Sequence, residues 1–372
     1  MTAIVGCDVL VVGAGIVGLA HAAEAVDRGL SVVVIDRDAC AVGASVRNFG
    51  HACVTAQTGE LLELAHVARE RWLAQGRDAG FSCLESGALA VAQSPAELAV
   101  LEEFSSMREP GEVRLLSAIE LRAEVDAIGG THIVGGALLR DDLRVDPREA
   151  VGALAARLAA RGVKFLWRTA YFGASGGVAA TSRGTISAQR VIVCVGHDLD
   201  YLYPTLAEEH EVQRCGLQMA LVRPADTVRI PPAVLTGTSM LRYPAFTATG
   251  AAVALRAQIA QTDPELLAIG ANIMFTQRAD GSIIAGDSHS NDLTLAPFLA
   301  ESTWDVLLDR IGRVLGVQRL EVVERWQGVY ASSPRHPYLT AEPEPGVTAV
   351  AITSGVGMTI SFGVAASVFD AF

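Results

Sequence analysis

Residues 8–36 read DVLVVGAGIVGLAHAAEAVDRGLSVVVID. The apolar run Asp8 to Val12 predicts a buried strand, Leu19 to Asp27 a helix, and Leu30 to Asp36 a second strand. Between the first strand and the helix lies Gly13-Ala14-Gly15-Ile16-Val17-Gly18. Its three glycines permit a tight turn, close approach to a pyrophosphate, and packing of helix on strand. The helix N-terminus offers unpaired N–H groups to phosphates, and Asp36 is placed to hold a ribose hydroxyl. The stretch therefore predicts a βαβ unit that binds a dinucleotide, with an ordinary tight turn between strand and helix as the alternative.

The next segment bears on which dinucleotide is bound, because the glycine pattern alone fits NAD and FAD equally. Residues 43–52 read GASVRNFGHA. This stretch of small residues resembles the FAD enzymes of the glycine-oxidase, sarcosine-oxidase and D-amino-acid-oxidase (DAO) family, in which it wraps the pyrophosphate and ribityl chain. The segments LRYPAF at 241–246, GDSH at 286–289 and ERWQGVYA at 324–331 are similar to a bacterial subgroup whose members tend to accompany phosphonate-degradation genes. The resemblance covers Val9 to Phe362.

The resemblance implies a fold and a cofactor. The fold is α/β (α+β), with a Rossmann-like FAD-binding domain and a mixed or antiparallel-sheet substrate domain, as in glycine oxidase. FAD is expected to be bound non-covalently, since relatives that attach it near the C-terminal half use a cysteine and none follows Cys215 here. A last glycine turn at 354–357 should aim a helix N-terminus at the flavin. The implied cofactor residues are Gly13, Gly15, Ile16, Val17, Gly18, Asp36, Arg37, Gly43, Ala44, Ser45, Val46, Arg47, Asn48, Ala170, Cys194, Gly196, Gly328, Ser354, Gly355, Val356, Gly357, Met358 and Thr359.

Periodicity and turn residues predict how the two domains alternate along the chain. Asp146-Pro147 is a helix start that feeds a crossover helix to Arg161 and then a strand at 163–167, where the parallel sheet resumes. Arg278-Ala279-Asp280-Gly281 fits a hairpin turn in the second domain. The FAD-binding domain is predicted at 1–85, 141–214 and 321–372, and the substrate-binding domain at 86–140 and 215–320.

Composition and charge exclude several classes of protein. The 372 residues, 51% of them hydrophobic, supply one large or two closely packed domains with a full core. A net charge of −12 argues against a nucleic-acid partner, because phosphate binding needs clustered Lys and Arg. Charged residues and glycines interrupt the apolar stretch 4–26, so neither a membrane span nor a signal peptide is expected. The six cysteines form no Cys-x-x-Cys pair, which favours reduced thiols in a cytoplasm, and no metal-ligand spacing is found.

The substrate side departs from the relatives. They carry a carboxylate-binding arginine two residues beyond the glycine that is here Gly328, and this chain has Tyr330 there. Since the flavin does the redox chemistry, no dedicated catalytic residue is predicted, but a cation must hold the substrate's anionic group. Arg47 and Arg242 are the predicted clamps, with ion pairs at the surface or between domains as the alternative. The predicted substrate-binding residues are Arg47, His51, Gln218, Arg242, Tyr243, His289, Trp326, Tyr330 and Arg335; structural roles remain open for the two histidines, and a core position for Trp326.

The sequence thus predicts a cytoplasmic FAD-dependent amine oxidoreductase that acts on CH–NH or CH–NH2 donors. It would convert a small primary or N-methyl amine to an imine, which water hydrolyses to an aldehyde, with oxygen as acceptor. The subgroup and the missing carboxylate arginine favour an aminophosphonate, such as a 2-aminoethylphosphonate derivative. Lys164, the only lysine, is expected to lie away from the flavin. A sarcosine, glycine or D-amino-acid oxidase, a non-catalytic flavin-binding subunit of a larger complex, and an NAD-dependent dehydrogenase stay open, as do the exact amine, the acceptor and the oligomeric state.

Overall fold

A computed structural model describes residues 3–125, 127–224 and 228–371, with the backbone alone at residues 3–5. The strands in this part of the chain are β1 Ala3–Val12, β2 Val32–Ile35, β3 His51–Ala52, β4 Cys83–Leu84, β5 Ala88–Ala92, β6 Val113–Ser117, β7 Gly135–Leu139, β8 Leu143–Val145, β9 Lys164–Leu166, β10 Tyr171–Ser175, β11 Val178–Thr181, β12 Gly184–Val193, β13 Gln213–Pro224, β14 Ala233–Leu235, β15 Met274–Gln277, β16 Ile283–Gly286, β17 Ser290–Asp292, β18 Leu320–Ser332, β19 Tyr338–Glu344 and β20 Val347–Ile352.

The helices of the same residues include the two predicted at 19–27 and 146–161, which the structure places at 16–27 and 147–160. In chain order, the helices are α1 Ile16–Asp27, α2 Gly59–Ala79, α3 Pro95–Ser106, α4 Ala118–Glu124, α5 Pro147–Ala160, α6 Leu199–Leu202, α7 Pro204–Glu209, α8 Gly237–Met240, α9 Pro244–Thr247, α10 Ala251–Thr262, α11 Pro264–Ala268, α12 Glu301–Leu315 and α13 Gly357–Asp370. Local chemistry explains where several begin. Asp146 caps α5 by accepting from the Arg148 N–H at 3.0 Å, with Pro147 in the first helical position. Among the described residues, none of these helices is long and apolar enough to cross a membrane.

A parallel sheet carries the dinucleotide fingerprint. Its parallel strands lie in the order β9-β2-β1-β12-β20, and antiparallel strands extend it through β10 and β11 and through β19. Apolar residues of α1, α2, α5 and α13 pack together with the sheet in one core cluster. A second cluster covers the opposite face. Strands buried on both faces read as continuous apolar runs, as 8–12 and 32–35 do.

A mixed, largely antiparallel sheet forms the second layer. Eight strands run in the order β17-β13-β16-β15-β14-β5-β7-β6, and β18 pairs with β13 along its length. The hairpin β15–β16 turns at residues 278–281, where Arg278 N donates to Ser282 O at 2.7 Å. The fold class predicted from sequence is therefore confirmed. β18 belongs to this sheet, although the FAD-binding domain was predicted to resume at residue 321. If domains are assigned by sheet, the last segment of the FAD-binding domain begins at about residue 333.

Candidate functional site

A cavity of about 390 Å³ lies where the two sheets meet. It extends from the glycine turn after β1 to the ends of β16 and β18 in the second sheet. Most of the residues expected to hold the cofactor line it. They are Gly13, Gly15, Ile16, Val17, Asp36, Arg37, Gly43, Ala44, Ser45, Arg47, Asn48, Ala170, Cys194, Gly196, Gly328, Ser354, Gly355, Gly357 and Met358.

Four of the expected cofactor residues lie outside the cavity wall: Gly18, Val46, Val356 and Thr359. Gly18 has the packing role expected of the third glycine, since a Cβ there would stand 1.9 Å from the carbonyl oxygen of Gly13. The Thr359 hydroxyl accepts a hydrogen bond from the Cys53 N–H at 3.0 Å and so ties α13 to the segment after β3. These residues support the cavity rather than face it.

The glycine turn has the shape that a pyrophosphate needs. Gly13 has φ of +104°, and a Cβ there would lie 2.4 Å from the Cys194 carbonyl oxygen. Gly15 precedes α1 with extended backbone, and its missing Cβ leaves room beside the Ser45 hydroxyl, which accepts from the Ile16 N–H at 2.9 Å. The Asp36 carboxylate accepts from the Ala14 N–H at 2.7 Å, which fixes the acidic residue against the turn. Backbone N–H groups and a carboxylate thus meet at one end of the cavity, as the phosphates and ribose of FAD require.

The opposite end of the cavity holds a guanidinium. Arg242 lies between α8 and α9, and its Nη2 donates a hydrogen bond of 2.6 Å to the Tyr330 hydroxyl on β18. Both residues line the cavity. Burial and the loss of solvation raise the pKa of the Tyr330 phenol, which therefore stays protonated. One hydrogen bond uses one of the five N–H donors of an arginine, so the fork retains donors for an anion.

Gly355 makes room for this pair. It has φ of +78°, and a Cβ there would lie 3.1 Å from the Tyr330 hydroxyl and 3.2 Å from Arg242 Nη2. The residue is part of the turn from β20 into α13, whose first residues, Gly357 and Met358, also line the cavity. The turn expected to approach the flavin is thus packed against the candidate anion site.

Gly355→Ala should weaken binding of an anionic ligand about 10-fold and leave FAD bound. The left-handed backbone costs an alanine about 1–2 kcal/mol, and the new methyl pushes Tyr330 and Arg242 apart. Ligand titration of the flavin spectrum measures the effect. Gly346→Ala is the matched control, because Gly346 has the same φ of +78° but an added Cβ would meet its nearest atom only at 3.7 Å. Equal losses in both variants would show that backbone strain alone is responsible.

Sequence reasoning missed Asp287, which follows β16 and is 2% exposed in the cavity wall. Asn272 Nδ2 donates to its Oδ1 at 3.1 Å, and its Oδ2 lies 3.8 Å from His289 Nε2. Burial raises the pKa of Asp287 to about 7, although Arg242 and the Asn272 hydrogen bond act in the opposite direction. The only signal in the sequence was its position two residues before His289, in the segment that resembles the family.

His289 also lines the cavity, and its Nδ1 lies 2.9 Å from the Gly270 carbonyl oxygen. A carbonyl only accepts, so Nδ1 carries the proton and donates it. Burial and the nearby Arg242 lower the pKa of His289 to about 3, and the ring is neutral at physiological pH. Its Nε2 therefore presents a lone pair towards the Asp287 carboxylate.

A second buried pair lies beside β3. His51 Nε2 is 2.7 Å from Asp142 Oδ2, and Asp142 Oδ1 accepts from the Thr55 N–H at 2.7 Å. Cys53 joins them, with candidate ligand atoms of all three within 4.8 Å of one another, a grouping that the sequence spacing did not reveal. The hydrogen bonds account for the arrangement, and burial raises the pKa of the Cys53 thiol well above its usual range. We do not propose a metal there.

Three of the predicted substrate-binding residues are not brought to the cavity. Arg335 is exposed and pairs with Glu211, with its Nε 2.7 Å from Oε1. The guanidinium carbon of Arg148 lies 4.7 Å from the centre of the Trp326 ring. Gln218 lies on β13 opposite Gln327. By contrast, the cavity is lined by Arg47, His51, Arg242, Tyr243, His289 and Tyr330. Arg47 is exposed and donates to the Gln327 carbonyl oxygen at 3.2 Å.

Comparison with known proteins agrees with this geometry. The family model described as FAD dependent oxidoreductase (DAO) matches residues 8–371. A search of curated protein sequences gave no match. Among solved structures, glycine oxidase from Geobacillus kaustophilus is 20% identical with a TM-score of 0.77, over 97% of this chain and 94% of that one. Iminodiacetate oxidase from Chelativorans sp. is 18% identical with a TM-score of 0.75, over 98% and 95%. The FAD-bound L-α-glycerophosphate oxidase from Mycoplasma pneumoniae is 16% identical with a TM-score of 0.74, over 99% and 95%.

At these identities the solved structures establish the fold, which is that of the glycine oxidases. The match to the family model spans nearly the whole chain, and the glycine turn, Asp36 and the cavity fit the cofactor that the family uses. The chain therefore belongs to the DAO family of FAD-dependent oxidoreductases, and its cofactor is FAD.

Proposed function

We propose that this protein oxidises a small primary or N-methyl amine that carries an anionic group, and that an aminophosphonate is its preferred substrate class. The observation that carries the proposal is the Arg242 guanidinium, held in the cavity wall against Tyr330. Arg242 is half-buried and keeps N–H donors that the Tyr330 hydroxyl does not use, and a guanidinium fork of this kind suits a carboxylate or a phosphonate. The product would be an imine, which water hydrolyses to an aldehyde.

Arg242 can take the place of the arginine that the relatives carry where this chain has Tyr330. Tyr330 stands where the resemblance implies a carboxylate-binding arginine, and Arg242 reaches its hydroxyl from the turn between α8 and α9. A guanidinium is thus retained at this place although it comes from a different element. Arg47 lines the same cavity, and two cations suit the double charge of a phosphonate better than the single charge of a carboxylate.

The chain's own residues would bind and orient the substrate. FAD, when bound, accepts the hydrogen and the two electrons of the substrate C–H bond. Arg242 and Tyr330 would hold the anion, and the apolar side chain of Met274 and the ring of Tyr243 would limit the space for the carbon chain. Fixing the amine in one orientation supplies much of the rate, since the reaction needs an aligned C–H bond.

The names of the structural neighbours support amine chemistry, since one is a glycine oxidase and another an iminodiacetate oxidase. They leave a sarcosine, glycine or D-amino-acid oxidase as the first alternative, in which Arg242 binds a carboxylate. A non-catalytic flavin-binding subunit is the alternative of another class. Anaerobic bleaching of the flavin with panels of aminophosphonates, amino acids and plain amines tests all three. Fastest bleaching by aminophosphonates supports the proposal, fastest bleaching by amino acids favours the first alternative, and no bleaching favours the second.

We also propose that the protein works in the cytoplasm. The six cysteines, all within the described residues, are unpaired, and three of them, Cys53, Cys194 and Cys215, are buried. Free thiols are typical of a reducing compartment.

Reaction of the reduced enzyme with oxygen should be nearly unchanged in Lys164→Met. A positive charge near the flavin speeds electron transfer to oxygen, but Lys164 is exposed on the edge strand β9 and is not part of the cavity wall. Stopped-flow reoxidation of the photoreduced enzyme measures the rate, and Arg47→Met, which removes a cation from the cavity wall, should slow it. A large loss in Lys164→Met would contradict the placement of the cations. No reaction with oxygen in any variant would identify a dehydrogenase with a separate acceptor.

A further inference from the structure

Two hydrogen-bond acceptors face each other in the cavity wall beside the anion clamp. The Asp287 carboxylate and the bare Nε2 of His289 are 3.8 Å apart, too far for a direct hydrogen bond. Neither atom has a proton to give when the carboxylate is ionised, because His289 uses its only N–H on the Gly270 carbonyl. Two acceptors at this spacing form a receptor for a group with several N–H donors.

The surroundings hold Asp287 firmly in this position. Asn272 donates its side-chain amide to Oδ1, and the backbones of the two residues exchange hydrogen bonds of 2.8 and 2.9 Å. Oδ2 is the carboxylate oxygen that faces His289. A base acts efficiently when it is already oriented and its partner atoms do not have to move.

The two halves of the site have complementary chemistry. Arg242 and the Tyr330 hydroxyl present donors, whereas Asp287 and His289 present acceptors, and all four residues line one cavity. A small substrate with an anion at one end and an ammonium at the other matches both halves. A plain amine would satisfy only the acceptors, and a plain anion only the donors.

We propose that Asp287, assisted by His289 Nε2, binds the substrate's ammonium group and removes a proton from it. This inference rests on the proposed amine oxidation. In the step, one N–H bond of R–CH2–NH3⁺ breaks and an O–H bond forms on Asp287, which leaves the neutral amine R–CH2–NH2. The C–H bond then breaks, its hydrogen and two electrons pass to the cofactor, and the substrate becomes the iminium R–CH=NH2⁺. Only the neutral amine has the lone pair that forms the C=N bond.

Charge and burial suit Asp287 to this role. The ionisable groups that face it are Arg242 and Tyr243 beside α9, Tyr330 on β18, Cys215 on β13, and His289. Of these, Arg242 favours the ionised carboxylate, while burial favours the protonated one. Because burial raises the pKa of Asp287 to about 7, the carboxyl is protonated below that pH and is available as a base above it.

The test compares Asp287→Asn with the wild-type holoenzyme under anaerobic conditions. With the best amine of the panel, wild-type flavin reduction should speed up as pH rises through about 7, and the amide variant should lose this limb and react about 100-fold more slowly or worse. Asp292→Asn, in the exposed strand β17, is the matched control and should keep the wild-type profile.

Ligand binding gives a readout that does not depend on turnover. Ethylphosphonate and propionate carry the anion but no amine, and both perturb the flavin spectrum if they bind beside it. Asp287→Asn should bind these anions as tightly as the wild type or more tightly, because a negative charge near Arg242 is removed. Weaker anion binding in this variant would indicate a structural role for Asp287 and overturn the inference.

The two proposals fail in different ways. If no amine of the panel reduces the wild-type flavin, the proposed amine oxidation is wrong, and the inference is overturned with it. If amines reduce the wild-type flavin and Asp287→Asn keeps the wild-type rate and pH profile, amine oxidation stands and the role assigned to Asp287 is wrong.

Discussion

Arg242→Lys should raise the dissociation constant of the anionic substrate about 10- to 100-fold and leave the flavin spectrum intact. Arginine offers a planar fork that can bind the Tyr330 hydroxyl and an anion together, whereas the lysine ammonium is a single point on a flexible stem. Losing one charge-assisted hydrogen bond costs about 1.5–3 kcal/mol, and each 1.4 kcal/mol is a factor of ten. The saturation curve of anaerobic flavin reduction gives the dissociation constant.

Arg47→Lys measures the contribution of the second cation in the cavity wall. Arg47 lines the cavity too, but it is exposed and its guanidinium donates to the Gln327 carbonyl. Exposed ion pairs contribute little, about 0–1 kcal/mol, so this variant should change binding less than about 5-fold. Equal effects of the two substitutions would mean that Arg47 holds the anion as strongly as Arg242 does. Unchanged binding in Arg242→Lys would remove Arg242 from the proposed site.

Gly15→Val should weaken FAD binding by at least about 100-fold while the protein still folds. Gly15 has φ of −74° and ψ of 175°, which a valine adopts without strain. The valine side chain would fill the space beside the first turn of α1, where its Cβ alone would lie 3.0 Å from the Ser45 hydroxyl. A phosphate that cannot reach the N–H groups in the first turn of α1 loses hydrogen bonds worth about 1.5–3 kcal/mol each. Crowding by the valine side chain costs about 1–3 kcal/mol in addition.

Flavin content of the purified variant and its circular dichroism spectrum measure binding and folding together. Gly152→Val, on the exposed face of α5 where an added Cβ meets nothing within 4 Å, is the control and should retain FAD. Acid precipitation of the wild type should release the flavin into the supernatant, as non-covalent binding requires. A yellow Gly15→Val protein, or flavin that stays in the acid pellet, would contradict these expectations.

Local sequence signals were sufficient for the parallel sheet and for one hairpin of the second sheet. The glycine turn, the Asp146 cap of α5 and the turn at 278–281 each depend on neighbours a few residues away, and the structure has all three. The short helices α8, α9 and α11 were not predicted, because one or two turns have too few residues to show a period.

The substrate end depended on contacts between distant segments, and single residue types gave weak guidance there. Arg242 and Tyr330 are 88 positions apart, and they meet only because the fold brings β18, which is paired with β13, to the α8–α9 turn. Arg335, which the sequence offered as a weaker third cation, is paired with Glu211 at the surface in the fold. Asp287 was passed over because an aspartate after a strand is ordinary, and its burial is a property of the folded chain.

The place of Arg242 on a turn bears on how specificity in this scaffold can be changed. The turn is held by local backbone hydrogen bonds, such as those from the N–H groups of residues 242 and 243 to the Ser239 carbonyl, at 3.1 and 3.3 Å, and it is not part of a sheet. The long ladder between β13 and β18, by contrast, holds Tyr330 rigidly. Substitutions in the turn can therefore re-aim the guanidinium while the ladder keeps its pairing. Thr238, Ser239 and Met240 are buried in α8, and the first two hydrogen-bond to Ile273 and Asn272, so they should be kept. A library at the half-buried Leu241 should yield enzymes with altered anion size preference at little cost in thermal stability, so that the turn, not the sheet, is the place from which this enzyme is most readily redesigned.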